Sequence, residues 1–132
     1  MIVVSAAIIF NSKQQILLAQ RKADSHNSLK WEFPGGTLEK KESPEDCLMR
    51  EIKEELNIEI KVKDIYQVIY HKCAEKNILL LFYFCKYLKG RLQCIDCNAA
   101  RWINIVELLK YDLCEPDRIV AKKLIKKIKT QC

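Results

Sequence analysis

No apolar run in this chain of 132 residues approaches the length that spans a bilayer, so a helical membrane protein is not expected. No basic leader precedes the opening stretch MIVVSAAIIF, which is too short and too alternating for a signal peptide. It reads as a first strand, with Met1 as the true start and nothing removed. No linker, internal repeat or low-complexity segment divides the sequence, and its length fits one domain covering residues 1–132. Cysteine is present without a framework: Cys47, Cys73, Cys85, Cys94, Cys97, Cys114 and Cys132 make an odd, scattered set of seven. Lacking a secretion signal, they are expected to be free thiols in a reducing cytoplasm. Cys94 and Cys97 form a CxxC, but no second ligand pair follows at zinc spacing. A redox CxxC opens a helix after a strand, and QCIDCN shows neither, so neither metal nor redox chemistry is expected there.

What is present suffices for a folded core. Hydrophobic residues make up 49% of the chain, and the 30% that are charged argue against a membrane protein or a disordered tail. The net charge of +6 is largely local, because AKKLIKKIKT holds five lysines between Lys122 and Lys129. Ile119, Val120, Leu124, Ile125 and Ile128 interleave at helical spacing, which gives an amphipathic helix with a solvated lysine face. Nucleic acid and membrane are therefore not expected partners.

The order of elements can be read from punctuation. Residues 2–10 form a buried strand, Asn11-Ser12-Lys13 a turn, and QILLAQR a second strand in a hairpin. ADSHNSLK is a polar loop. The triplet of Trp31, Glu32 and Phe33 is a short strand, and Pro34-Gly35-Gly36 a tight turn. Ser43-Pro44-Glu45-Asp46 starts a helix, with Ser43 as cap and acids suited to the dipole. That helix runs to Leu56, and Asn57 stops it in a left-handed conformation. Long strands follow at about 60–71 and 77–88, with a turn at Lys89-Gly90. RWINI is a short strand, IVELLK one or two helical turns, and Glu115-Pro116-Asp117 opens the last helix. This succession fits a mixed sheet with helices packed on it, an α/β (α+β) class.

On a helical wheel Leu48, Met49, Ile52 and Leu56 share the core side. Arg50, Glu51, Glu54 and Glu55 share the other, within an arc of roughly 140°, and Lys53 points away. Glu51 and Glu55 are then a like-charge pair at i,i+4, which costs a few tenths of a kcal/mol even when solvated. Only Arg50 compensates locally, through Glu54. Clustered hard oxygen ligands with open positions suit Mg²⁺ or Mn²⁺, and a glycine segment directly upstream lets backbone approach and lend a carbonyl. Together these features suggest metal-assisted hydrolysis at a phosphate.

Gly36, five residues, Glu42, seven residues, then Arg50-Glu51-Ile52, Glu54-Glu55, Asn57 and Ile58 resembles the Nudix box, G-x5-E-x7-REU-x-EE-x-GU. Every fixed position matches except the last glycine, here Asn57, which can adopt the backbone conformation glycine supplies. WEFPGG, the loop ADSH, the late tryptophan in RWI and the start of the last helix at EPDRIVAKKL are similar to the MutT-like branch. That branch includes 8-oxo-dGTP diphosphatases and other nucleoside triphosphate pyrophosphohydrolases.

The resemblance implies an α/β/α sandwich with a mixed central sheet. It implies Mg²⁺ (Mn²⁺ in substitution) held by Glu51, Glu54, Glu55 and the Gly35 carbonyl. Glu42 and Arg50 would orient that box through an ion pair. Asp96, six residues before Trp102, would approach the metals and assist the water where the family more often has Glu. Catalytic work would then fall to Glu51, Glu54, Glu55 and Asp96. Arg21, His26, Glu32, Phe33, Pro34, Gly35 and Asp117 would line the nucleotide. The bland reading of Asp117 is a cap on the last helix, and His26 and Asp96 also read as loop residues. Thr37 stands where the branch often has Lys after the glycines, leaving Lys40, Lys41 or the C-terminal lysines as substitutes. The expected reaction is Mg²⁺-dependent hydrolysis of a nucleoside triphosphate, oxidised ones such as 8-oxo-dGTP included, to the monophosphate and pyrophosphate, by a cytoplasmic monomer or homodimer. The alternatives are a hydrolase of another nucleoside diphosphate linked to X, or a non-catalytic nucleotide-binding module.

Overall fold

The computed structural model describes residues 1–74 and 76–130. Strands β1 (Ile2–Phe10) and β2 (Gln15–Gln20) form the expected hairpin. Asn11 closes its turn: Oδ1 accepts the amides of Lys13 and Gln15 at 3.0 and 2.9 Å, and Gln14 takes the left-handed conformation, φ 61°. β3 (Trp31–Glu32), β4 (Gly35–Thr37), β5 (Glu59–Cys73), β6 (Lys76–Lys89) and β7 (Ala99–Asn104) complete one seven-stranded sheet. Its main path runs β3-β2-β1-β6-β5, with β4 beside β1 and β7 beside β2. β1 and β6 are parallel, from Ile2 opposite Ile78 to Phe10 opposite Lys86, and the other pairings are antiparallel, so the sheet is mixed.

Two helices cover the two faces, and the period of two along the strands decides which residue meets which helix. Ala6 and Ile8 of β1, Ile16 and Leu18 of β2, and Phe82 of β6 turn one way. They pack with Val120, Ala121, Leu124 and Ile125 of α2 (Glu115–Thr130). Ala7, Ile9, Leu17, Tyr83 and Cys85 turn the other way, against Leu48, Ile52 and Leu56 of α1 (Pro44–Leu56). Full burial of one such aliphatic side chain contributes about 1.5–3 kcal/mol. A short 3-10 segment, Ile105–Lys110, links β7 toward α2 and buries Leu108. None of the described helices is long and apolar enough to cross a membrane.

α1 begins and ends as its sequence requires. Ser43 Oγ accepts the Asp46 N–H at 3.1 Å, Pro44 occupies the first turn, and Glu45 and Asp46 meet the positive end of the dipole. Asn57 stops the helix at φ 60°, its N–H donating to the Lys53 carbonyl at 3.1 Å. Met49 departs from expectation: it is 43% exposed rather than on the core face. One residue beyond Leu48 lies about 100° round the helix, past the edge of the sheet contact.

The Pro-Gly-Gly segment is not the expected turn. Gly35–Thr37 is a strand, antiparallel to β1, with Ser5 opposite Gly36 and Ala6 opposite Gly35. Glycine is required by crowding rather than by φ, since a Cβ on Gly35 would lie 1.9 Å from the Ser5 carbonyl oxygen. A second correction concerns cysteine. Cys94 and Cys97 are joined in a disulfide, with Cα atoms 5.5 Å apart, inside the loop before β7. The free-thiol reading failed there because the return of that loop, not the sequence spacing, brings the pair together. Cys47, Cys85 and Cys114 are free and buried. Cys132 and the side chain of Cys73 fall outside the described residues.

Candidate active site

The acidic face of α1 is organised by one cation. Arg50 reaches back eight residues to Glu42, with Nε 2.6 Å from Oε2 and Nη2 2.9 Å from Oε1. Its Nη1 meets Glu51 at 2.9 Å and Glu54 at 3.3 Å. Glu42 also accepts the Glu39 amide at 3.1 Å, so the loop before the helix is fastened to the same pair. These bonds hold the Glu42 carboxyl down at about 2, with the Arg50 hydrogen bond as the largest cause. Both residues expected to orient the box are therefore joined.

Gly36 makes room for this arrangement. A Cβ there would lie 2.3 Å from Cδ of Glu51, so the absent side chain is the space the carboxyl occupies. Glu51 is hydrogen-bonded in turn to Glu55. Burial, then the Glu51 contact, then the charges of Asp96 and Glu32, push the Glu55 carboxyl far above the ordinary carboxylate range. Glu54 is mostly exposed and turned onto Arg50. Among the described residues no three Asp, Glu, His or Cys side chains are gathered into a ready cage for a metal. The donor set nevertheless fits a divalent ion: Glu51, Glu55 and Asp96 are hard oxygen donors, and among the described residues no cation pairs with Glu55.

Asp96 lies across from this face. It pairs with Lys22 at 2.5 Å and acts electrostatically on Glu55. Asp96, Glu55, Gly35, Pro34, Glu32 and Arg21 line one cleft of about 240 Å³. A larger cleft of about 690 Å³ adjoins it, and Arg21, Glu32 and Gly35 line both. In the larger cleft those three are joined by His26, Phe33 and Asp117, so all seven residues expected at the nucleotide are on cleft walls.

The polar contacts in the larger cleft are already engaged with one another. Arg21 Nη1 lies 3.1 Å from Glu32 Oε1, and its Nε donates to the His26 carbonyl at 2.7 Å. Burial raises the Glu32 carboxyl, opposed by Arg21. Asp117, only 6% exposed, accepts the Phe33 N–H through Oδ2 at 2.9 Å and also accepts its own amide at the start of α2. Burial first, then the charge of Glu32, push its carboxyl well up. The helix-capping reading of Asp117 is thus incomplete, because its carboxyl ties α2 to the strand segment 84 residues earlier.

The floor that sequence reasoning missed is mostly apolar. Ile2, Val4, Ile78 and Leu80 lie on the parallel pair β1 and β6 and floor the larger cleft with Thr37. Their period of two marks a strand, and nothing in it says which strand end is left uncovered. Lys40, Lys41 and the α2 lysines line neither cleft, whereas Lys76 lines the larger one.

Comparison with known proteins agrees with this architecture. A family model for the NUDIX domain matches residues 1–127. A CTP pyrophosphohydrolase of Escherichia coli K12 is 38% identical over 117 residues, covering 89% of this chain and 86% of that one. An 8-oxo-dGTP diphosphatase of the same organism is 28% identical over 121 residues, covering 92% and 94%. Among solved structures, the E. coli ORF135 protein superposes with a TM-score of 0.83 at 34% identity, over 96% of this chain and 89% of that one. The MutT protein of Methanosarcina mazei Go1 shares the fold, with a TM-score of 0.86 over 97% and 95% at 24% identity.

Proposed function

Because the chain belongs to the NUDIX family of hydrolases and is similar to its MutT-like members, we propose that it cleaves a (deoxy)nucleoside triphosphate to the monophosphate and pyrophosphate, in the cytoplasm, with Mg²⁺ or Mn²⁺. The observation that carries this reading is the sharing of Arg21, Glu32 and Gly35 between the two clefts. The apolar-floored cleft suits a base and sugar. The acidic cleft beside Glu55 and Asp96 suits a metal-bound polyphosphate. A nucleotide lying across the shared residues would place its base in the larger cleft and its phosphates in the smaller one.

Glu51, Glu54, Glu55 and the Gly35 carbonyl would hold the ion, which when bound neutralises phosphate charge and acidifies water. Arg50 and Glu42 keep the donors oriented from behind. Glu55 or Asp96 takes the proton of the attacking water. Phe33 and Asp117 position the base, with Asp117 fixed by the Phe33 amide.

The two E. coli relatives are named for different bases, an oxidised guanine and a cytosine. The deciding assay uses Mg²⁺ with canonical, oxidised and methylated nucleoside triphosphates, a dinucleotide and a nucleotide sugar, with product identification. We expect a monophosphate and pyrophosphate, and no turnover in excess chelator. Turnover that persists in chelator defeats the mechanism. Preference for the dinucleotide or sugar moves the chain to the wider class of nucleoside diphosphates linked to X. Nucleotide binding with no product leaves a non-catalytic module.

A further inference from the structure

Between Gly90 and Ala99 the chain has no regular structure, yet it is fastened at both ends of a short segment to the candidate active site. The Gln93 N–H donates to the Leu56 carbonyl at 3.0 Å, and the Ile95 N–H to the Glu55 carbonyl at 2.8 Å. Asn98 holds Gln20 through its amide N–H at 2.9 Å and through its side chain at 2.6 Å. The Cys94–Cys97 disulfide spans the middle. Asp96 sits inside that ring, paired with Lys22, and Cys97 shares the smaller cleft with Asp96, Glu55 and Glu32.

We propose that the Cys94–Cys97 pair is a redox-modification site that fixes Asp96 against Glu55, so that a dithiol reductant lowers hydrolysis. The proposal rests on reading Glu55 and Asp96 as parts of the hydrolytic site. The four-residue ring removes the freedom of the two residues it encloses, and one of them, Asp96, places a loop carboxylate on the wall of the smaller cleft beside Glu55. Opening the ring frees the Ile95 amide and the Asp96 carboxylate together, because they are neighbours on one short backbone.

Cys94 is exposed and Cys97 half-buried, while the free cysteines Cys47, Cys85 and Cys114 are buried. Exchange is therefore directed to Cys94. A thiolate of the dithiol attacks Cys94 Sγ, the Cys94–Cys97 bond breaks, and Cys97 leaves as a thiolate that takes a proton. The second thiol of the reagent then attacks its own sulfur in the mixed disulfide, releasing Cys94. Two electrons and two protons pass to the protein, and the dithiol becomes a cyclic disulfide.

The test compares oxidised and dithiothreitol-reduced protein in two ways. Hydrogen exchange at the Ile95 amide needs no substrate and no variant, and should quicken roughly ten-fold on reduction. Turnover of the preferred nucleoside triphosphate should fall by roughly ten-fold or more in kcat, with KM changed little. Cys97→Ser and Cys94→Ser should each sit at the reduced level and ignore the reductant. Equal Ile95 exchange in both states overturns the proposal, as does dithiol sensitivity that survives in either serine variant. So does peptide mapping that finds two free thiols in the oxidised protein. Absence of any hydrolysis defeats the functional reading, while the exchange arm still decides whether the disulfide holds the loop on Glu55.

Discussion

Arg50 and Glu42 face each other through two parallel hydrogen bonds, 2.6 and 2.9 Å long, across the start of the acidic helix. Fork-to-fork pairing of this kind is stronger and more directional than a single contact. Glu42 is held at about 2 against an ordinary 4.5, so the folded state favours its ionised form. A depressed carboxyl contributes stability above its unfolded pKa and loses it as the pH falls through the folded one. Glu42→Gln should therefore lower the thermal midpoint at neutral pH, and the gap from wild type should close between pH 4.5 and about 2. A gap that does not change with pH would show that the pair adds no linked stability.

The two adjacent glycines should respond differently to the same methyl group. At Gly36 it meets the end of the Glu51 side chain, which can swing away, so Gly36→Ala should fold and lose turnover. At Gly35 it meets the Ser5 carbonyl, which is held in β1, so Gly35→Ala should lose stability, by roughly 3 kcal/mol or more given the size of the clash. Denaturant unfolding and turnover of both variants check the contrast.

Asp117→Asn separates a charge cost from a tether. Asparagine keeps an oxygen for the Phe33 amide and cannot ionise. Asp117 has a raised carboxyl, so the folded wild type is penalised progressively as the pH climbs above 3.8. The variant should gain stability relative to wild type across that rise, as read by urea midpoints at several pH values. Asp117→Ala abandons the Phe33 N–H in the core and should be about 1–3 kcal/mol less stable than Asp117→Asn at every pH.

Glu54→Gln and Glu55→Gln both lie off the core face of α1 and should leave the circular dichroism spectrum intact. If they hold the ion and the attacking water, turnover should fall by roughly 10²-fold or more in each. A variant with near-normal turnover would remove its residue from the mechanism.

Much of the frame is legible in local chemistry. Ser43, Pro44 and Asn57 mark both ends of α1 because capping and left-handed stops are properties of single residues. The alternation of β1 and β2 assigns residues to two opposite faces, as the two core clusters confirm. Reading failed where distant backbone decides. Gly35 and Gly36 have no side chains to alternate, so their strand is visible only through β1. Met49 lies at the margin of a face whose width the sheet sets. Cys94 and Cys97 depend on the path of a loop. At the site, the clustered glutamates and their arginine were readable from spacing, but the apolar floor of Ile2, Val4, Ile78 and Leu80 was not. It exists because β1 and β6 run parallel, a pairing that residues so far apart do not announce.

Asn57, the one departure from the box pattern, has a consequence that a glycine there would lack. Its backbone turns at φ 60° as glycine would, while its side-chain amide donates to the Arg91 carbonyl at 3.1 Å. Gly90 lies against it so tightly that a Cβ would come within 2.7 Å of the Asn57 carbonyl oxygen. The residue that stops the helix is thus also a strut, bolted to the segment that leads into Cys94 and Asp96. The acidic helix and its facing loop are thereby joined at a further point besides the Gln93 and Ile95 amides.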